Sequence, residues 1–187
     1  MSDNRFDEEL LIIEAAKNGN AKAHKEIYER YASSMMSVCW RYTGDLETAK
    51  DLLQDGFIKL FAKLDTYAGT GAFAGWVRRV FVTTCLEYLR QKSALKMSSS
   101  IDDYAYSLPE GDITIVEKIS ADELMALIAE LPEMSKAVFN LFVIDGYSHA
   151  EIAEILGITE VNSRTLFLRA RKSLQKSVQE LENYGRQ

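Results

Sequence analysis

Cysteine, histidine and long apolar runs are scarce in this chain of 187 residues, and each shortage excludes a class of protein. Two cysteines, Cys39 and Cys85, cannot staple a secreted mini-domain or supply a four-ligand zinc site. Both sit among apolar helical positions and read as buried packing residues. The two histidines, His24 and His149, lie far apart and neither stands at a metal-ligand spacing. No stretch approaches the roughly 18 apolar residues of a membrane span, and no basic segment precedes an apolar N-terminal run as in a secretory signal. Gly69-Thr70-Gly71 is not followed by the Gly-Lys-Ser/Thr of a phosphate loop, and no serine sits in a nucleophile elbow. The expectation is a reduced, cytoplasmic protein without metal, cofactor or catalytic centre.

What is present is charge, unevenly placed. The formal net charge of −6 argues at first sight against nucleic acid as a partner. Residues 1–95 are neutral, however, and so are residues 131–187; the whole excess falls in residues 96–130. The first part of that segment, from Met97-Ser98-Ser99-Ser100 to Pro109-Glu110-Gly111-Asp112, has turn chemistry and no apolar period. It reads as an acidic flexible linker over residues 96–119, joining a domain of residues 1–95 to one of residues 120–187.

Both flanks read as helix, and nothing alternates long enough to suggest a sheet, so the fold class is all-α. Runs over about 7–17, 20–43, 45–64 and 73–92 are punctuated by Asn18-Gly19, Gly44 and the 67–72 loop, with Asp45 as an N-cap. In the second domain a helix near 121–130 precedes Leu131-Pro132-Glu133, which starts another reaching about Gly146. Ser148-His149-Ala150-Glu151 is a capping box. A short helix to Leu156, the Leu156-Gly157-Ile158-Thr159 turn and a longer helix from Glu160 then have the punctuation of a helix-turn-helix.

Three charged faces follow. On the last helix Phe167, Ala170, Leu174, Val178 and Leu181 form an inward seam, leaving Arg164, Arg169, Arg171, Lys172 and Lys176 outside. A helix-turn-helix needs such charge for phosphates and polar residues near the start of its second helix for base edges; Asn162, Arg164 and Thr165 hold those places. The fourth helix carries Arg78, Arg79, Arg90, Lys92 and Lys96 against Glu87, interleaved with Phe73, Trp76, Phe81 and Tyr88. Basic residues with aromatics suit a strand with exposed bases, although the aromatics themselves read mainly as core. On the third helix Asp51, Gln54 and Asp55 share one face. Acidic helix faces are usually only solvated, but this one is also able to dock a basic partner.

Two segments resemble the extracytoplasmic-function (ECF) sigma factors, the small initiation subunits of bacterial RNA polymerase. One is Asp51-Leu52-Leu53-Gln54-Asp55-Gly56-Phe57-Ile58-Lys59-Leu60-Phe61, continuing through Phe73-Ala74-Gly75-Trp76-Val77-Arg78-Arg79 to Glu87-Tyr88-Leu89-Arg90. The other is Asp145-Gly146-Tyr147-Ser148-His149-Ala150-Glu151-Ile152-Ala153-Glu154-Ile155-Leu156-Gly157-Ile158, with Arg169-Ala170-Arg171 beyond it. The resemblance covers roughly residues 20–95 and 120–180. It implies that Asp51, Gln54 and Asp55 meet core RNA polymerase. It further implies that the loop with Tyr67, Gly69 and Thr70, together with Arg78, Arg79, Thr83 and Arg90, opens and reads the −10 element of promoter DNA. Asn162, Arg164, Thr165, Leu168, Arg169, Arg171 and Lys172 would read the −35 element, largely through position and shape. An anti-sigma factor as regulator and a monomeric free state are also implied.

The chain departs from the family pattern at Thr83, where asparagine is common, and at Ala74, where a charge is common. Leu166 and Leu168 replace more usual polar residues, and Leu168 suits either a thymine methyl or a protein surface. Two other functions compete: a helix-turn-helix regulator that binds duplex DNA without polymerase, and a sigma-like protein that only binds other proteins. A regulator of the first kind has no need of an acidic face, a loop and a basic helix in succession.

Overall fold

A computed structural model describes residues 3–96 and 120–184. Apart from Lys96, the expected linker of residues 96–119 lies outside the described residues. Among them there are eight α-helices and no strand: α1 (Asp3–Lys17), α2 (Ala21–Thr43), α3 (Leu46–Ala62), α4 (Phe73–Lys96), α5 (Ala121–Ala129), α6 (Glu133–Phe139), α7 (His149–Leu156) and α8 (Glu160–Tyr184). A 3-10 turn at Leu64–Thr66 follows α3, and a π turn at Asn140–Ile144 extends α6. The chain divides into two compact units, residues 1–87 and 88–187, so the border falls within α4.

The boundaries of these helices follow from local chemistry. The Asn20 side chain accepts hydrogen bonds from the Lys22 and Ala23 amides and starts α2. Gly44, at φ 70°, ends that helix in the left-handed conformation open to glycine at little cost. One residue later Asp45 accepts from the Thr48 amide at 2.8 Å and starts α3. Ser120 and Ser148 each form a capping box, with Glu123 and Glu151 respectively. Hydrogen bonds from each serine hold its glutamate carboxyl below the usual carboxylate range.

In the first unit α1 packs on α2 and α2 on α3. Ile13, Ile27, Tyr42, Leu52, Phe57, Leu60, Leu64, Phe73, Val77 and Phe81 are buried, as are both cysteines. Each large apolar side chain withdrawn from water contributes about 1.5–3 kcal/mol before chain entropy is subtracted. Helices α3 and α4 approach closely at Gly56, where a Cβ would lie 2.2 Å from a ring carbon of Phe81. Phe81 in turn meets Phe57 edge-on, with 5.1 Å between ring centres.

In the second unit α8 is the spine, with α5, α6 and α7 packed along it. Ile128, Leu131, Ala170 and Leu174 form a core cluster joined by Leu124, Met125, Leu127 and Phe139. Lys136 is buried despite its charge, and its ammonium donates to the Ala129 carbonyl at the end of α5. Burial lowers its pKa and the nearby Glu133 carboxylate works the other way. The expected seam of α8 holds at Ala170, Leu174 and Val178, all buried. Phe167 is half-buried, and Leu181 departs from the seam at 45% exposure.

Candidate functional sites

The acidic face of α3 is formed by amphipathic folding. Leu52, Leu53, Phe57 and Leu60 take the buried side, which leaves Asp51, Gln54 and Asp55 exposed together. Ile58 extends this face one turn further and is 67% exposed. It lies four residues after Gln54 and three after Asp55, a spacing that the sequence already contained. Leu46 is also exposed, at the start of the same helix. Glu47 and Lys50 pair at 2.7 Å beside the two aspartates. The surface is therefore acidic with apolar members, a composition suited to a basic helical partner better than to nucleic acid.

The loop after α3 is built on Tyr67. Its ring is buried against Phe73 at 5.0 Å and Trp76 at 5.6 Å between ring centres. Its hydroxyl donates to the Gly71 carbonyl at 2.7 Å, and Lys17 of α1 donates to the Tyr67 carbonyl at 3.2 Å. Burial, helped by Glu9, raises the Tyr67 pKa, so the hydroxyl keeps the proton it donates. Gly69 and Gly71 have φ of 73° and 76°, the two left-handed turns that let so short a loop reverse. Tyr67 thus braces the loop from within, while Thr70 and its neighbours Ala68 and Ala72 are exposed.

Helix α4 separates its basic residues. Arg79, Thr83 and Arg90 are exposed along one side of the helix, whereas Arg78 is half-buried. Beside this stripe runs a groove of about 160 Å³, lined by Lys59 of α3, by Lys63 just after that helix, and by Trp76, Arg79, Thr83 and Glu87 of α4 among others. Lys59 and Lys63 were missed by sequence reasoning because they belong to the helix read for its acidic face. Asp51, Asp55, Lys59 and Lys63 recur every four residues, so the lysines continue the ridge of the acidic face and nothing in their spacing set them apart. Phe73 and Phe81 are core, as expected, and Trp76 is half-buried with its ring within 17° of parallel to Phe73.

The helix-turn-helix forms as its punctuation predicts. Gly157, at φ 68°, ends α7, and the Ile158 amide donates back to the Ala153 carbonyl at 3.1 Å. Thr159 then caps α8 by accepting from the Asn162 amide at 3.1 Å. Ser163 is fully buried where the two helices meet, its hydroxyl 2.9 Å from Nδ1 of His149. The His149 ring stacks on Phe142 at 4.4 Å, and Phe167 lies 4.8 Å from Phe142. Burial among these rings lowers the His149 pKa; the Arg164 charge adds to that and Glu160 opposes it. His149, absent from the expected site residues, therefore ties the start of α7 to Ser163 of α8 and to the rings of Phe142 and Phe167.

At the start of α8 Val161, Asn162 and Arg164 are exposed, and Val161 is 74% open to solvent. Arg164 is held by Glu160 at 2.5 Å, and the Thr165 hydroxyl donates to the Val161 carbonyl at 2.9 Å. Leu166 and Leu168 are half-buried beside the seam. Arg169, Lys172 and Lys176 form an exposed basic stripe, with Arg171 half-buried. The surface offers cations for phosphates and, at its tip, an amide and an apolar group of the size that meets base edges.

The chain combines a helix-turn-helix that has a basic second helix with a glycine-turned loop beside a basic groove, and it belongs to the sigma-70 class. The sigma-70 region 2 model matches residues 27–94 and the sigma-70 region 4 model matches residues 121–174, together more than half of the chain. Within that class the chain belongs to the ECF sigma factors. It is 29% identical over 193 residues to the ECF RNA polymerase sigma-E factor of Escherichia coli strain K12, covering 97% of this chain and 98% of that protein. The ECF RNA polymerase sigma factor SigW of Bacillus subtilis strain 168 is 24% identical over 186 residues, covering 92% and 100%. Among solved structures, the sigma factor RpoE of Bartonella quintana, bound to the anti-sigma factor NepR, is 17% identical with a TM-score of 0.49, covering 83% of this chain and 96% of that one.

Proposed function

We propose that this sigma factor directs core RNA polymerase to particular promoters, with no catalytic chemistry of its own, and that its parts divide the work. The functional division is residues 1–95 for polymerase binding and −10 melting, 96–119 as a linker, and 120–187 for −35 recognition. Asp51, Gln54 and Asp55, with Ile58 beside them, dock the polymerase. The loop at Gly69 and Thr70 and the α4 stripe of Arg79, Thr83 and Arg90 hold the opened −10 strand. Tyr67 acts there by bracing the loop, and Arg78 by charge from the flank. Base unpairing costs a few kcal/mol, which a cationic track and an aromatic wall offset. Asn162 and Thr165 face bases of the −35 element, while Arg164, Arg169, Arg171 and Lys172 meet phosphates and Leu168 supports the helix from its half-buried side.

One observation supports this most strongly: a cationic groove suited to single-stranded DNA lies within residues 1–87, and a basic helix suited to duplex DNA lies within residues 88–187. The free protein is a cytoplasmic monomer, and an anti-sigma factor covers the same surfaces when the response is off. The reading is tested by mixing the protein with core polymerase and a library of promoter fragments. Retained fragments should share two elements at a fixed spacing, and permanganate reactivity should appear only around the downstream one. Tight duplex retention by the chain alone, without opening when polymerase is added, would contradict the reading and favour a conventional helix-turn-helix regulator.

A further inference from the structure

The α3–α4 groove contains one acidic side chain, Glu87, and that carboxylate lies 2.6 Å from the Lys59 ammonium. Both side chains remain about 40% exposed, at 41% and 37%. An ion pair so open to water adds little to stability and is readily displaced by a competing anion. The remaining charged groove residues, Lys63 and Arg79, are cations, and Trp76 supplies an aromatic wall. Cations tracking past an aromatic face suit a single nucleic-acid strand, whose phosphates follow the charges while its bases stack. A phosphate approaching Lys59 meets the Glu87 carboxylate already there.

We infer that Glu87 is a built-in competitor for the strand phosphate and sets how tightly the groove holds single-stranded DNA. This rests on the proposed −10 reading and deepens it. With Glu87 on Lys59, a strand presented alone must displace the carboxylate and bear its repulsion, so binding is weak. A strand delivered by the polymerase, already held elsewhere, overcomes that barrier. The groove therefore discriminates against single strands met outside an initiation complex, and Glu87 is a specificity-determining residue.

The test uses the full-length protein and a fluorescein-labelled oligodeoxythymidine of about 12 nucleotides, within the site sizes typical of such grooves. Anisotropy titrations are run for wild type, Glu87→Gln, Lys59→Gln and the double variant at several salt concentrations. Glu87→Gln should tighten binding about three- to tenfold at low salt, the gain shrinking as salt screens it. Its salt slope should steepen by about 0.7, as one more phosphate contact forms on a single strand. Lys59→Gln should weaken binding, and Glu87→Gln in that background should gain less than half as much on a logarithmic scale. Equal gains in both backgrounds, an unchanged affinity, or no binding by Glu87→Gln at low salt would each overturn the inference. Tryptophan emission of each variant checks that the unit is folded. If wild type supports initiation while Glu87→Gln binds no tighter, only this inference fails. If Glu87→Gln behaves as expected but no initiation occurs with polymerase, the proposed function fails and the strand competitor stands.

Discussion

Substituting Gly56 by alanine probes the contact that shapes the groove. The new Cβ would lie 2.2, 2.5 and 2.8 Å from three carbons of the Phe81 ring. Phe81 is fully buried and held edge-on against Phe57, so it has no free space to rotate into. Overpacking of this kind costs about 1–3 kcal/mol, and three overlaps on one rigid ring place it in the upper part of that range. Alanine returns up to about 1 kcal/mol through helix propensity. The net expectation is a destabilisation of about 1–2 kcal/mol. With a urea slope of about 1 kcal/mol/M, the midpoint falls by about 1–2 M. Both tryptophans, Trp40 and Trp76, belong to the first unit, so their emission follows that unit alone. Gly75→Ala is the control: its Cβ meets nothing within 4 Å, and the midpoint should stay or rise. Adding Phe81→Leu to Gly56→Ala should recover part of the loss. If Gly56→Ala unfolds at the wild-type midpoint, the close approach of α3 and α4 is wrong, and the groove geometry with it.

Other expectations concern the loop and the reading helix. Tyr67→Phe removes the hydroxyl bond to Gly71 and should cost about 0.5–1.5 kcal/mol in the same tryptophan-monitored unfolding, with promoter opening slowed. His149 carries a folded-state pKa below its ordinary 6.5, so the unfolded chain takes the proton first. Stability of the second unit should therefore fall as pH drops from 6.5 to the folded pKa, and the lowered carboxyls of Glu123 and Glu151 remove more only in the acid carboxylate range. His149→Gln should flatten that dependence in circular dichroism, and a dependence that survives the substitution would refute the assignment. Arg169→Ala and Lys172→Ala should weaken −35 duplex binding across sequences and each reduce its salt slope by about 0.9, read by anisotropy over a salt series.

Helix ends were legible in the sequence wherever a side chain caps them. Asp45 and Ser148 start their helices where expected, and Gly44 and Gly157 stop them, because each acts through bonds spanning three or four residues. The burial of Cys39 and Cys85 was equally legible from their apolar neighbours. The expected helix reaching about Gly146 runs as α6 to Phe139 and then widens into a π turn at Asn140–Ile144. An apolar period cannot register one added residue per turn, since the buried face at Asn140 and Leu141 continues across it. Tyr67 looked like a loop aromatic, and only tertiary packing against Phe73 and Trp76 turns it inward. The groove cations Lys59 and Lys63 were hidden for a related reason: a site shared between two helices leaves no single periodic trace in either.

In the proposed function an acidic, polymerase-binding face and two DNA-binding surfaces act together to start transcription. Reconstituted transcription from a promoter library tests it directly, comparing core polymerase alone, with the wild-type chain, and with Asp51→Arg/Asp55→Arg. Both aspartates are exposed on α3, so the charge reversal leaves the fold intact. Transcripts should depend on the wild-type chain and begin at discrete sites. The double variant should lose them while its −35 duplex affinity is unchanged. Equal transcript yields with and without the chain, or from wild type and the reversed-charge variant, would contradict the proposed function.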